Sequence, residues 1–177
     1  MDKFKNLIVL GPLIYAIHHF EEHTIFNFIE WKLQYFHHSA AALSTEAILA
    51  ILTCILVTFA LLHLVKNNRA SAHVILFMLF AIQVINAFYH IFFSFYFNDF
   101  SPGAITSILL YLPVNFLIAQ AAFREGYLKS YFEYGCIAFL GTTTFILFEI
   151  IGPLIIGLAI IFSLMYYFYF NKRLSNK

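Results

Sequence analysis

Residues 7–17 read LIVLGPLIYAI, and residues 18–23 follow directly as HHFEEH. The first stretch carries no charged residue, whereas the second places five ionisable side chains within six positions. An ionisable side chain inside a hydrophobic span costs at least a few kcal/mol, so such groups are rare and usually functional. The cluster at 18–23 is therefore expected to pair internally, to hold protons or to bind a metal ion.

The composition predicts a polytopic membrane protein. Apolar residues make up 62% of the 177 residues and charged residues only 11%, and 23 residues are Phe. Soluble domains run near 45–50% apolar and about 25% charged, so a soluble fold could not hide this much apolar surface. The net charge is +1 and no basic run occurs, which argues against a nucleic-acid partner. The expected partner is the lipid bilayer.

The fold class is expected to be all-α, a transmembrane helix bundle in a single domain over 1–177. A membrane-spanning helix needs roughly 20 apolar residues. As one helix, the apolar region 131–170 would be roughly 60 Å long, about twice the hydrocarbon thickness. Gly152-Pro153 near its middle is the kind of dipeptide that breaks a helix. Six helices are therefore expected, with five as the alternative: about 6–30, 40–65, 72–97, 102–123, 131–150 and 153–170.

The distribution of basic residues favours six spans over five. With the N-terminus inside, six spans also return the C-terminus to the cytoplasmic side. Nine basic residues then lie inside, and Lys32 is the one outside. Five spans give six inside against four outside. The positive-inside rule therefore predicts six spans with both termini cytoplasmic.

The polar residues of these helices converge on one layer. At about 1.5 Å of rise per residue, the 18–22 cluster and Asn86 to His90 both lie roughly 18–27 Å from the inner ends of their helices. Glu46 lies about 9 Å below the outer end of the second helix. Thr106 and Glu149 fall in the same outer layer. The charge counts that set the orientation did not use these residues, so the convergence is an independent indication of a site in the outer half of the bilayer.

The cluster can be divided into motifs in two ways. Starting at His18 it is H-x-x-E-E, and starting at His19 it is H-x-x-E-H, the inverted zinc-hydrolase pattern. In that pattern two imidazoles one turn apart bind the metal and the glutamate between them serves as the base. The proteases that use the pattern are soluble folds, so the pattern alone is weak evidence for that chemistry here.

Three landmarks resemble the HXXEE-domain family of small bacterial multi-span membrane proteins. They are His18 to Glu22, the N-A-x-x-H motif over 86–90, and Ser101-Pro102-Gly103 at the start of the next helix. The resemblance implies location in the bacterial cytoplasmic membrane as a multi-pass protein, with the histidines and glutamates forming its site. It implies no established reaction, and it does not extend beyond about residue 125.

The favoured interpretation of the site is a centre for one or two divalent ions. Mixed carboxylate and imidazole ligands suit zinc, iron or manganese. Asn86 and His19 are expected beside the ligands, orienting a carboxylate or a bound water. A metal-free hydrogen-bonded network and a proton or ion path stay open as alternatives. The expected ligands are His18, Glu21, Glu22 and His90, with His23 and Glu46 as further candidates.

The expected function is a membrane-embedded, metal-dependent hydrolase. Glu21 or Glu22 would accept a proton from water while the other binds the metal. A site at this depth can be reached by a lipid or lipid-linked substrate, or by a small molecule from the outer water. A di-iron oxidoreductase, a small transporter for protons or metal ions, and a purely structural site stay open as alternatives. Self-association into a homo-oligomer stays open too.

Several smaller features carry expectations of their own. Ser101 is expected to cap the following helix, with Pro102 in its first turn. The three threonines at 142–144 are expected to bond to their own helix or to a neighbour. His37-His38 are interpreted as an exposed loop pair. His63 and His73 lie near the inner boundary, where their rings can reach water.

Overall fold

The computed structural model describes residues 3–36 and 43–175, apart from the side chains at 172, 174 and 175. The expected all-α class is confirmed, because the described residues form helices and turns and no strand. His37 and His38 lie outside the described residues.

The helices follow one another with short connections. Two of the longer ones contain an internal π-helical turn, and a third ends in one. The elements are α1 (Phe4–Leu7), α2 (Leu10–Phe20) continued by a π-helical turn (Glu21–Ile25), α3 (Phe28–Phe36), α4 (Thr45–Lys66), α5 (Arg69–Tyr96, π-helical over Phe80–Val84), α6 (Ala104–Arg124, π-helical over Ser107–Tyr111), α7 (Tyr131–Ile151) and α8 (Leu154–Ser175).

Within residues 3–36 and 43–175, five helices, α4 to α8, are long and apolar enough to cross a membrane. The first expected span is not one of them. The expectation of one continuous helix over 6–30 was wrong, because a turn at Ile8–Val9 separates α1 from α2 and Phe26 adopts an extended conformation after the π-helical turn. Residues 31–36, which lie between the first two expected helices, are helical as well, since α3 continues through Phe36.

The break between α7 and α8 is confirmed. Gly152 has φ +91°, a backbone conformation that residues with a Cβ atom rarely adopt. Pro153 cannot continue the preceding helix. Within α7 three threonine hydroxyls each donate a hydrogen bond to the carbonyl four residues earlier, so they find their hydrogen-bond partners within their own helix. They are Thr142, Thr143 and Thr144.

Successive long helices run in opposite directions. We call one end of the bundle the site end; it carries the turn at 26–27, the loop at 97–103 and the turn at 152–153. The other end carries the turn at 67–68 and the loop at 125–130. Residues near 18–22 on α2, near 90 on α5 and near 104 on α6 therefore lie at the same level, as the depth estimates predicted.

Helix α5 forms the centre of the bundle. In its most apolar window 61% of residues are buried, against 11% in α7, and it packs against α4, α7 and α8. Large apolar side chains cover the outside of the other helices, for example Phe139 on α7 and Met165 on α8. Such a surface suits lipid and not water. The architecture is that of a membrane protein.

The end opposite the site end has its own polar contacts. Arg69 Nη2 lies 2.6 Å from Glu133 Oε1. His73 contacts the Tyr166 hydroxyl at 2.7 Å, and His63 contacts the Ser71 hydroxyl at 3.0 Å. Both histidines are buried, so the expectation that their rings reach water was wrong. Neighbouring helices supply hydroxyl partners in place of water.

We predict that Gly141→Ala destabilises the fold. A Cβ at this position of α7 would lie 3.0 Å from Phe80 Cδ1 and 3.2 Å from the Ala81 backbone nitrogen. Overpacking of this kind typically costs about 1–3 kcal/mol. Gly157→Ala is the matched control, because a Cβ there meets no atom within 4 Å. Thermal unfolding in detergent measures both, and equal melting temperatures would contradict the close packing of α7 on α5.

Candidate metal site

The π-helical turn at the end of α2 brings the charged cluster into the interior. His18 and Glu22 lie one turn apart, and the residues from His18 to Glu22 are buried except Phe20, which is exposed. The wider turn ends where the Phe26 N–H bonds the Glu21 carbonyl at 3.0 Å. Such π-helical turns are often found at functional sites. Here the turn buries both carboxylates of the Glu21-Glu22 pair.

One group of three potential ligands comes from α2 and α5. Glu22 Oε1 lies 2.9 Å from His90 Nε2 and 3.3 Å from His18 Nε2. The short contact with His90 does not have hydrogen-bond geometry, so this buried ring nitrogen has no hydrogen-bond partner among the described residues. Donor atoms about 2.0–2.2 Å from a tetrahedral Zn²⁺ lie roughly 3.3 Å from each other. Both distances from Glu22 Oε1 are close to that spacing, and ligand atoms of all three residues lie within 4.8 Å of one another.

Hydroxyl groups hold the far side of both imidazoles. His18 Nδ1 lies 2.8 Å from Thr106 Oγ1, and Thr106 Oγ1 donates to the Gly103 carbonyl at 3.3 Å. Because that hydroxyl has already given its proton, it accepts from His18 Nδ1–H, which leaves the lone pair on Nε2. This is the tautomer and the outer partner that a metal-binding histidine needs.

Ser101 plays the corresponding role at His90. Its hydroxyl lies 3.0 Å from His90 Nδ1, and the side chain is fully buried. The expectation that Ser101 caps the next helix was wrong: α6 begins at Ala104, and Gly103, in a left-handed conformation, is its N-cap residue. Ser94 connects the two segments, because its hydroxyl donates to the His90 carbonyl and accepts from the Ser101 N–H.

Glu21 is engaged elsewhere. Its carboxylate accepts three backbone N–H groups at the start of α6, from Gly103 at 3.1 Å, Ile105 at 3.1 Å and Thr106 at 2.7 Å. A carboxylate at a helix N-terminus is stabilised by the unpaired N–H groups and by the helix dipole. Both Glu21 oxygens are thus occupied by main-chain donors, whereas Glu22 faces the imidazoles.

Asn86 contacts His18 directly. Its amide nitrogen lies 3.1 Å from His18 Nε2, on the ring nitrogen that carries the lone pair. An amide in this position donates to the lone pair, so an ion bound to His18 would have to displace this contact. Asn86 also lines the cavity described below.

A second group of potential ligands shares Glu22. The ligand atoms of His19, Glu22 and His23 also lie within 4.8 Å of one another, and His23 Nε2 is 3.7 Å from Glu22 Oε2. The two oxygens of Glu22 thus face different histidines. Glu46, at the start of α4, is exposed and belongs to neither group, although it lines the same cavity as His19 and His23.

A cavity of about 440 Å³ adjoins the site. Glu22, His19 and His23 form part of its wall, together with the ion pair in which Lys32 Nζ lies 2.7 Å from Glu149 Oε2. Ligand pockets commonly measure roughly 300–1,000 Å³. His18 and His90 lie behind Glu22 and do not line the cavity. Glu22 therefore connects a buried imidazole pair with a space large enough for a ligand.

Gly103 fits between the three buried side chains that could hold an ion. A Cβ at this position would lie 2.8 Å from His18 Cε1 and 3.0 Å from both Glu22 Cγ and His90 Cε1. Its φ of +97° is also one that other residues rarely adopt. The glycine of the Ser101-Pro102-Gly103 motif thus serves both the turn and the packing of the site.

Sequence reasoning missed the groups that orient the imidazoles. Thr106 was placed at the correct level but without a partner, and Ser101 was interpreted as a helix cap. Tyr111, whose ring packs against His18 with centroids 4.3 Å apart, was not singled out. Its position one turn beyond Thr106 and Ser107 on the same helix is the signal that could have identified it.

Comparison with known proteins gives one match. The family model described as "Protein of unknown function with HXXEE motif" matches residues 9–118, more than half of the chain. This range includes the motif at 18–22, the histidine at 90 and the loop at 101–103. No curated protein and no solved structure matches the chain.

We predict that Gly103→Ala disrupts the site more than Gly126→Ala. Both glycines have positive φ, +97° and +76°, so both substitutions carry a backbone penalty of roughly 1–2 kcal/mol. A Cβ at Gly126 meets no atom within 4 Å, whereas one at Gly103 meets His18, Glu22 and His90. Overpacking should add about 1–3 kcal/mol for Gly103→Ala. Equal unfolding free energies for the two variants would refute the packing of the ligands around Gly103.

Proposed function

Since the chain belongs to the HXXEE family, whose description gives a motif and no reaction, we propose a function from the site itself: a membrane-embedded, metal-dependent enzyme that hydrolyses a lipid or lipid-linked substrate. The observation that carries the proposal is the position of Glu22. One of its oxygens faces the buried pair His18 and His90, and the residue also forms part of the wall of a cavity of about 440 Å³.

His18, Glu22 and His90 would hold a divalent ion, either zinc or iron. Two imidazoles and one carboxylate match the three-ligand sets of catalytic zinc sites. A divalent ion held there would polarise a substrate oxygen and lower the pKa of adjacent water. Thr106 and Ser101 keep the two rings oriented for this task.

The proton of the attacking water would go to Glu22 Oε2. This oxygen lies on the side of His23, which lines the cavity, while Glu21 is held by three backbone donors. The sequence left open which glutamate binds and which accepts the proton. In the proposed mechanism Glu22 does both with different oxygens, and Glu21 holds α6 in place. His23, 3.7 Å from Oε2, is placed to pass the proton on to the leaving group.

A second ion at His19, Glu22 and His23 would make the centre dinuclear. The support is that both groups share one carboxylate, with a pair of histidines on each side. Carboxylate-rich di-iron centres in helix bundles are also built from Glu and His on neighbouring helices. An oxidative reaction at a di-iron centre is therefore the second candidate function, and the number and identity of the bound ions distinguish it from hydrolysis.

The distribution of polar groups supports an enzyme over a transporter for protons or metal ions. On the central helix α5, every residue from Val74 to Ile82 is apolar, which separates Gln83 from His73 by roughly 15 Å. An ion path would need polar groups across that distance. An enzyme needs them only at one level.

In the proposed topology α1 and α2 together form a sixth span. Residues 4–25 measure roughly 33 Å along a helix, close to the hydrocarbon thickness of about 30 Å. The basic residues then place both termini in the cytoplasm and the site end in the outer half of the bacterial cytoplasmic membrane. A substrate could enter sideways from the lipid.

We predict stoichiometric binding of zinc or iron to the purified protein. One ion per chain is expected for the His18 group alone and two if the His19 group is also filled. His18→Ala, His90→Ala and Glu22→Gln should each remove at least one equivalent and stop release of fatty acid from reconstituted glycerolipids. Elemental analysis of protein in nanodiscs measures the metal content.

His73→Ala is the matched control, because His73 is also a buried histidine but lies at the opposite end of the bundle. Its metal content should equal that of the unchanged protein. A metal-free protein that keeps its stability, and is unaffected by Glu22→Gln, would replace the enzyme proposal with a structural polar network. Loss of a pH-dependent ion flux in the same variants would favour the transporter.

We predict that Thr106→Val lowers metal affinity by about 10- to 100-fold, the usual effect of removing an outer partner of a metal-binding histidine. The valine keeps the volume of the side chain but cannot accept from His18 Nδ1–H. Thr142→Val is the control, since the Thr142 hydroxyl donates to its own helix at Ala138. Titration with Zn²⁺ measures the affinity; an unchanged affinity in Thr106→Val would show that Thr106 does not position His18.

A further inference from the structure

We propose that the cavity beside Glu22 binds one hydrocarbon chain of an uncharged single-chain lipid, with the polar head group at the site end. This inference rests on the proposed function and specifies its substrate class: an amphiphile such as a monoacylglycerol, whose ester bond is held next to Glu22.

The cavity extends from the site end toward the middle of the bundle. Its wall includes Thr45 to Ile55 on α4, Asn86 back to Met78 on α5, and Pro153 to Ala159 on α8. At about 1.5 Å per residue these segments measure roughly 15, 12 and 9 Å along their helices. The lining residues on all three helices thus indicate an elongated cavity that runs along the helix axes. Such a cavity suits an extended hydrocarbon chain better than a compact ligand.

The two ends of the cavity differ in chemistry. The part away from the site end is lined by apolar side chains: Leu52, Ile55, Met78, Ala81, Ile156 and Ala159. The charged and imidazole groups lie at the site end. Tyr89 also lines the cavity, and its buried hydroxyl has no hydrogen-bond partner among the described residues. This polarity orients an amphiphile, with its tail inward and its head group beside Glu22.

The charges around the head-group position favour an uncharged lipid. Lys32 is neutralised by Glu149, while Glu46 and Glu22 add negative charge to the same wall. One divalent ion held at Glu22 would balance these two carboxylates, so a fatty acid or a phosphate head group would leave the wall with a net negative charge. An ester, by contrast, offers oxygens that can accept hydrogen bonds and adds no charge.

The hydrocarbon chain of the lipid can enter the cavity from the bilayer between α4 and α8. Both helices line the cavity and both pack extensively on α5, but they do not pack extensively on each other within the described residues. Ile29, also in the wall, is exposed near the entrance from the site end. At about 440 Å³ the cavity has room for one chain, so a lipid with two chains would leave the second chain in the bilayer.

The test uses the full chain in amphipol, without a bilayer, so that a series of monoacylglycerols from octanoyl to octadecanoyl reaches the cavity from water. Apparent affinity is measured by displacement of a photoreactive monoacylglycerol. It should rise by about fourfold for each added methylene until the chain fills the cavity, and then stay constant. Ala159→Phe should move this plateau to shorter chains and lower the affinity for the longest ones at least tenfold. Leu52→Phe, from the opposite wall, should act in the same direction.

Leu158→Phe and Cys54→Phe are the controls, because these neighbouring side chains are exposed on the outside of the bundle. They should reproduce the unchanged affinities. The proposal is overturned if affinity does not depend on chain length, if Ala159→Phe and Leu52→Phe behave like the controls, or if the matching fatty acids bind more tightly than the monoacylglycerols.

Metal content, measured in the same samples, separates this inference from the proposed function. If metal is bound but the affinity for monoacylglycerols does not depend on chain length, the proposed lipid site is wrong and the proposed metal enzyme is not affected. If the affinity depends on chain length but no metal is bound, the proposed lipid site is supported and the proposed metal-dependent reaction is wrong.

Discussion

The site depends on one interaction, the capping of α6 by Glu21. Its carboxylate comes from α2 and accepts three main-chain N–H groups across more than eighty residues of sequence. In a bilayer, unpaired N–H groups at a helix start are costly because no water can satisfy them. The contact therefore fixes α6 against α2, and with it the positions of Gly103 and Thr106. Only with both in place can His18 and Glu22 face His90 with the observed geometry.

The neighbouring residues Glu21 and Glu22 thus have different surroundings, although their side chains are identical. Glu21 is bound by fixed backbone dipoles, while Glu22 is surrounded by imidazoles and adjoins a cavity. The difference arises because the residues point in different directions from one π-helical turn. A carboxylate that already accepts three N–H groups is a poor ion ligand, so Glu22 is the better candidate of the two.

The sequence predicted the level of the site and the residues that cluster there. Charge counts and helix rise placed His18, Glu22 and His90 in one layer, and the structure brings these three together. Hydropathy also predicted α4 to α8 and the break at Gly152-Pro153. The first segment was misjudged because hydropathy does not detect the turn at Ile8–Val9 or the extended residue Phe26. The hydroxyl partners were missed for a related reason: Ser101 sits in a loop whose path depends on tertiary contacts with His90 and Ser94, and a capping pattern was the best local explanation.

The described residues contain three π-helical turns, one each in α2, α5 and α6. A π-helical turn holds about one residue more than an α-helical turn, so the side chains beyond it rotate by roughly 100° relative to a regular helix. In α5 this rotation precedes Asn86 and His90. Whether Asn86 and His90 face His18 and Glu22 therefore depends on the extra residue in this turn as well as on the identity of the two side chains. A family member that lacked one residue in this turn could keep both side chains in its alignment and still present them to lipid.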